Sequence, residues 1–151
     1  MSYTIGEVAE MMGVTPSTLR YYDQEGLLPE VNRVNGIRVF EDKDFAWLRI
    51  LNCLKNTNMP IKKIKEYVEL AKLGDSSLKE RYEIIKEQKE NILEQIEQFQ
   101  YYLKEIEFKE WYYETAIKDG TEKNMMEKIK NNPSFDLDEI PKLKGKKKKE
   151  V

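Results

Sequence analysis

Ser17, Thr18, Arg20 and Tyr21 lie within one short stretch, TPSTLRYYDQEGLLPE, that runs from Thr15 to Glu30. Two hydroxyls, a guanidinium and a phenol so close together can hydrogen-bond to phosphate oxygens and to base edges. A second residue with chemistry of its own is Cys53, the only cysteine of the 151-residue chain. A thiol can be a nucleophile when its surroundings favour the thiolate. A lone cysteine among Leu48, Leu51 and Leu54 can equally be a small buried hydrophobe.

Other chemistries are excluded by composition. The chain has no histidine, so histidine-dependent acid–base or nucleophilic catalysis is ruled out, as is a cysteine–histidine zinc site within one chain. No enzyme, cofactor or metal is expected. One cysteine cannot form an internal disulfide, which suits a reducing compartment. No apolar run approaches the roughly 18 residues of a membrane span, and MSYTIGEVAE lacks the basic-then-apolar order of a signal peptide. A cytoplasmic protein with no membrane partner is expected.

Net charge is −2, so bulk charge does not point to nucleic acid. Residues 1–73 carry 10 basic against 10 acidic residues, 74–118 carry 7 against 11, and 119–151 carry 9 against 7. A case for DNA binding must therefore rest on where charges sit. Charged residues make up 36% of the chain, above the globular norm of about 25%, which suits long exposed helices.

The elements that would position Ser17 to Tyr21 are legible. Thr4 can cap a first helix whose Ile5, Val8, Ala9 and Met12 share one apolar face, with Gly13 ending it. Thr15 and Pro16 supply the cap and first position of a second helix, which stops at Gly26. Two short helices joined by a tight turn make a helix-turn-helix. In the second, Leu19 and Tyr22 can face inward while Ser17, Thr18, Arg20 and Tyr21 stay outside. Recognition helices present such groups to DNA from their first turns. Tyr22 reads equally well as a core ring or a phosphate contact.

Asn35-Gly36 is a strong hairpin signal, between Val31 to Val34 and Ile37 to Phe40. The hairpin would be a wing, with Arg33 and Arg38 in reach of phosphates or a minor groove. Asp42 or Asp44 can cap a third helix over about Phe45 to Asn56. Pro60 opens a fourth, running to about Leu73 with Gly74 after it. Lys62 and Lys63 fall in its first turn, where cations oppose the helix dipole. An approaching phosphate would relieve that, although a solvated basic turn explains them too.

Residues 75–118 contain no Gly or Pro. Leu78, Ile85, Ile92, Phe99, Ile106 and Tyr113 recur every seven residues, and Tyr82, Ile96, Leu103 and Ile117 follow the same period. This is a coiled-coil seam on a helix of about 65 Å. It needs a partner helix, most simply a second copy of the chain. The organisation expected is a winged-helix DNA-binding domain over 1–74, a coiled-coil dimerisation helix over 75–118, and a short strap with a basic tail over 119–151. In the tail, Phe135, Leu137 and Ile140 can dock, and KKKK reads as a solvated like-charge block.

Together these residues resemble the MerR family of bacterial transcription regulators. The matching pieces are YTIGEVAEMMGVTPSTLRYYDQEGLL, the Asn-Gly wing with Arg38, EDKDFAWLRIL and PIKKIKEY, with the long helix behind them. The resemblance implies a mainly α fold: a winged helix-turn-helix domain followed by a long helix that pairs antiparallel with its twin. It implies a homodimer that binds a palindromic promoter with a long spacer. The dimer would bend and underwind that spacer so that RNA polymerase can use it, an indirect readout of DNA deformability. Carried onto this chain, Arg20 and Tyr21 match the family's backbone-contacting pair, Tyr22 is the companion aromatic, and Arg38 matches the wing arginine. Phe40 lacks the hydroxyl of a wing tyrosine. The candidates for DNA contact are thus Ser17, Thr18, Arg20, Tyr21, Tyr22, Arg33, Arg38, Lys62 and Lys63.

The family's metal sensors carry cysteines near both ends of the long helix, and this chain has none there. Cys53 resembles the cysteine of the thiol-based branch, which responds to aldehydes and related electrophiles. YVELAKLGDSSLKERYEIIKEQKE is similar to that branch as well. Phe108, Trp111, Tyr112 and Tyr113 would either complete the dimer core or wall a pocket for an apolar effector. The competing expectation is a coiled-coil interaction protein whose N-terminal domain binds another protein and not DNA.

Overall fold

A computed structural model describes residues 1–28, 32–132 and 134 of the chain. The basic tail and Phe135, Leu137 and Ile140 lie outside these residues, as does Val31 of the wing. The chain falls into two compact units, Met1–Ile92 and Leu93–Val151.

The first unit holds the helix-turn-helix. Strand β1 (Ser2–Tyr3) leads into α1 (Ile5–Met12), where the Thr4 hydroxyl accepts from the Glu7 N–H at 3.2 Å. Such a cap is worth about 1 kcal/mol. Gly13 takes φ 67, a left-handed conformation that costs a glycine nothing, and the Val14 N–H returns to the Ala9 carbonyl at 3.0 Å. Helix α2 (Pro16–Gln24) starts with Thr15 accepting from the Thr18 N–H at 3.2 Å. Val8, Ala9, Leu19 and Tyr22 are buried, as the apolar spacing requires.

Strands β2 (Arg33–Val34) and β3 (Ile37–Arg38) pair antiparallel, Arg33 opposite Arg38 and Val34 opposite Ile37. Asn35 and Gly36 both have positive φ, 51 and 76, the twist a two-residue hairpin needs. Phe40 does not continue this hairpin. With Glu41 it forms β4, which pairs with β1 through Ser2 opposite Glu41 and Tyr3 opposite Phe40. A two-residue strand at the N-terminus carries no readable periodicity, so only the fold reveals this pairing.

Helix α3 (Phe45–Asn56) follows a 3-10 turn over Asp42–Asp44. Neither aspartate caps α3 with its side chain: Asp44 accepts from the Glu41 N–H at 2.8 Å, and Asp42 accepts from the Tyr3 hydroxyl at 2.8 Å. Helix α4 (Ile61–Lys72) opens after Pro60. The Trp47 indole N–H donates to the Leu27 carbonyl at 2.9 Å and its ring stacks on Tyr67 at 5.8 Å, tying α3 to α4 and to the loop after α2. Leu27, Phe40, Leu48, Leu51, Leu54, Ile64, Val68 and Ile84 complete one core with the helix-turn-helix residues.

Ile84 lies on α5 (Leu78–Asp119), a continuous helix of 42 residues. Its start, up to Ile92, belongs to the first unit. Ser77, Arg81, Ile84, Gln88 and Asn91 recur at spacings of three and four, so this part of the chain has a face turned to α3 and α4 besides the heptad stripe. Ile84 and Gln88 are buried. The Gln88 amide N–H donates to the Thr57 carbonyl at 3.1 Å and to its hydroxyl oxygen at 2.7 Å.

In the second unit, the rest of α5 packs with α6 (Met125–Lys130). Met125 and Ala116 are buried, Lys128 pairs with Asp119, and the Tyr112 hydroxyl donates to Glu122 at 3.1 Å. Phe108 lies 6.0 Å from Trp111 and Tyr112 lies 5.2 Å from Tyr113, centroid to centroid. Among the described residues, no helix is long and apolar enough to cross a membrane.

Candidate nucleic-acid interface

The outer face of α2 is built by its own periodicity. Leu19 and Tyr22 point into the core, which leaves Ser17, Arg20 and Tyr21 on the surface, Tyr21 46% exposed. Thr18 is half-buried, and its hydroxyl shares a hydrogen bond of 2.9 Å with the Thr15 hydroxyl. Thr18 therefore reinforces the start of α2, while Ser17 and Arg20 present their polar groups outward.

Tyr22, taken as a candidate DNA contact, is a core residue instead. It is 1% exposed, and its buried hydroxyl finds no hydrogen-bond partner among the described residues. Its position three residues after Leu19 puts it on the inward arc, and burying a large ring outweighs leaving the phenol in water. The Lys55 ammonium sits over the Tyr22 ring at 4.9 Å from the centroid.

The wing arginines also differ from expectation. Arg38 does not extend outward. It turns back onto α2, where its Nε donates to Asp23 Oδ2 and its Nη2 pairs with Asp23 Oδ1. Its side chain is only 10% exposed, and that burial pushes the guanidinium pKa down. Arg33 shares Asp23 Oδ2 at 3.0 Å through Nη2, donates to the Gly36 carbonyl at 3.2 Å through Nη1, and stays 53% exposed. Sequence reasoning missed Asp23. The available signal was the placing of two arginines across the Asn-Gly turn, an arrangement that needs an anion between them.

Lys62 is exposed at the start of α4. Lys63 faces Glu87 of α5 at 3.6 Å in a largely exposed pair, the sort that adds little stability. Cys53 is exposed on α3, with a free thiol. The buried-hydrophobe reading therefore fails: the leucines around Cys53 in sequence point inward, and Cys53 lies on the other side of the helix. Lys55, the nearby cation in sequence, is engaged with Tyr22. Along α5 the heptad residues are open in the single chain. Leu78, Tyr82, Phe99, Leu103, Ile106, Tyr113 and Ile117 are each more than half exposed, and Ile85 and Ile96 stand at 36% and 49%. Ile92 is half-buried. Leu93 and Tyr102, outside the predicted seam, are exposed as well, at 51% and 45%.

Known proteins share this arrangement. Residues 3–71 match the model of the MerR HTH family regulatory protein. An uncharacterised HTH-type transcriptional regulator of Haemophilus influenzae is 44% identical over 117 residues, which cover 77% of this chain and 87% of that protein. This chain belongs to the MerR family. The HTH-type transcriptional regulator AdhR of Bacillus subtilis is 34% identical over 91 residues, 60% of this MerR protein and 65% of AdhR. Among solved structures, HiNmlR, a MerR family regulator lacking the sensor domain and bound to promoter DNA, superposes with a TM-score of 0.77 at 43% identity. It covers 82% of this chain and 98% of its own. A MerR family regulator from Bacillus thuringiensis superposes at 0.68 with 42% identity, over 72% and 96% of the two chains. The protein is a DNA-binding transcription regulator of the MerR family, with a helix-turn-helix domain followed by a long helix, and its relatives are regulators and not enzymes.

Proposed function

We propose that this MerR regulator binds a palindromic promoter as an antiparallel homodimer and deforms the spacer in response to an effector. The observation that carries the reading is the exposed face of α2, with Ser17, Arg20 and Tyr21 outward beside a two-arginine wing. That a 43% identical regulator was crystallised on promoter DNA supports it. Arg20 and Tyr21 grip the sugar–phosphate backbone, Ser17 lies over the bases with Thr18 bracing the turn beneath it, and Lys62 and Lys63 add phosphate contacts. The exposed heptad residues of α5 are the dimer seam. RNA polymerase is met through the reshaped promoter.

Cys53 is the effector site in this reading, and its exposed thiol supports that. Addition of a small electrophile to the thiol would place a bulkier group on the exposed face of α3 and alter how the partner protomer packs there. Selection of fragments from the source genome with reduced protein, followed by footprinting, tests the regulator reading. An inverted repeat inside a long-spacer promoter is the expected result, and recovery of only a salt-sensitive, non-specific background would refute it. Cys53→Ser tests the sensor. It should leave promoter affinity within about threefold and abolish the response of transcription to formaldehyde. A mutant that still responds would rule Cys53 out as the sensor.

A further inference from the structure

Arg33 and Arg38 stand directly opposite each other across the hairpin. Like charges in that position repel. Asp23, one helical residue beyond Tyr22, answers both: its Oδ1 and Oδ2 take the fork of Arg38, and Oδ2 also takes Arg33. Arg33 then reaches the Gly36 carbonyl, so the tip of the hairpin is tied to the same carboxylate.

This arrangement is poorly explained as a stabilising device. Arg38 is nine-tenths desolvated, and its buried Nη1 has no partner among the described residues. A buried ion pair with an unmet donor does no better than a packed apolar pair of the same size. What it supplies is geometry. A side-on guanidinium–carboxylate fork fixes both distance and direction, and the hairpin is otherwise short, with two residues in each strand, a bond from the Val39 N–H to the Asn32 carbonyl at 2.9 Å and one from the Asn32 amide to Glu41 at 3.2 Å. We infer that Asp23 is the positioning residue of this DNA-binding domain: by clamping Arg38 and Arg33 it sets the wing at a fixed place beside the recognition face of α2.

The inference rests on the regulator reading for its DNA consequence but not for the clamp itself, and two measurements separate them. In the free protein, Asp23→Asn should speed amide hydrogen exchange in the hairpin, at Val34, Ile37 and Val39, by at least about tenfold. Exchange in the interior of α3 should stay as in the wild type. On the duplex that the wild type selects from random-sequence DNA, the same variant should weaken binding by about tenfold or more and lose hydroxyl-radical protection under the wing. Non-specific binding should tighten, because the variant is less negative by one charge. Asp23→Glu keeps the anion and should recover specific binding to within about threefold. If Asp23→Asn does not fold, Arg38→Lys replaces it, since an ammonium keeps the charge but cannot make the fork. Hairpin exchange at the wild-type rate, or a variant that binds the selected duplex as tightly as the wild type with wing protection intact, overturns the clamp. Failure of the wild type to select any duplex overturns the regulator reading alone, since the exchange result stands without DNA.

Discussion

Arg20 and Tyr22 are two residues apart on α2 and do opposite work. Arg20 is exposed, and Tyr22 is buried with its hydroxyl unmet among the described residues. Arg20→Ala should therefore weaken DNA binding by about 1–3 kcal/mol and lower the slope of log K against log salt by about one. Its urea midpoint should match that of the wild type. Tyr22→Phe should do the reverse. Removing a buried hydroxyl without a partner is neutral to stabilising, by up to about 1 kcal/mol, and promoter affinity should hold. Anisotropy titrations at several salt concentrations and urea melts check both. A large loss of affinity in Tyr22→Phe would show that the phenol reaches DNA after all. The side of the helix on which each residue lies was legible from a spacing of three. The fate of each polar tip was not, because tips are claimed by partners far away in sequence, as Arg38 is by Asp23.

At the scale of elements, the helices declare themselves through caps and breakers. Thr4, Thr15, Gly13 and Pro60 mark boundaries because each satisfies or forgoes backbone hydrogen bonds locally. The exception is the start of α5. Its heptad stripe was plain, whereas its second face was hidden in a run rich in Lys, Glu and Gln. Gln88 on that face bonds to Thr57, and the Thr57 hydroxyl in turn donates to the Cys53 carbonyl at 2.8 Å. The first turn of contacts beyond α3 thus runs from the thiol-bearing helix to the long helix. Gln88→Ala should lower stability by about 1–3 kcal/mol, since it opens a small cavity and removes a donor from a buried site. Chemical denaturation of the dimer at fixed concentration measures it. A shift below a few tenths of a kcal/mol would mean that water replaces the amide without loss.

At the scale of the whole molecule, the exposed stripe of α5 is the proposed dimer seam. Phe99 and Ile106 are 69% and 65% exposed, and burial of such side chains is worth about 1.5–3 kcal/mol each. Because a twofold interface uses every residue twice, Phe99→Glu with Ile106→Glu should convert a dimer to monomers at micromolar concentration. Light scattering reads this directly, and persistence of the dimer would place the interface elsewhere. Specific DNA binding should fall with it, since two half-sites are no longer engaged together. The sequence by itself determined the five larger helices, the Asn-Gly hairpin, their order and the apolar stripe, because caps, turn residues and periodicity act between near neighbours, whereas β1, β4 and α6 were not legible. It also determined that DNA contact must come from local charge placement on a chain of net charge −2. Only the tertiary structure decided that β1 pairs with β4, that Cys53 faces outward, and that Asp23 holds both wing arginines. The first and last of these join groups separated along the chain, and their pairing follows from packing, which no local pattern encodes.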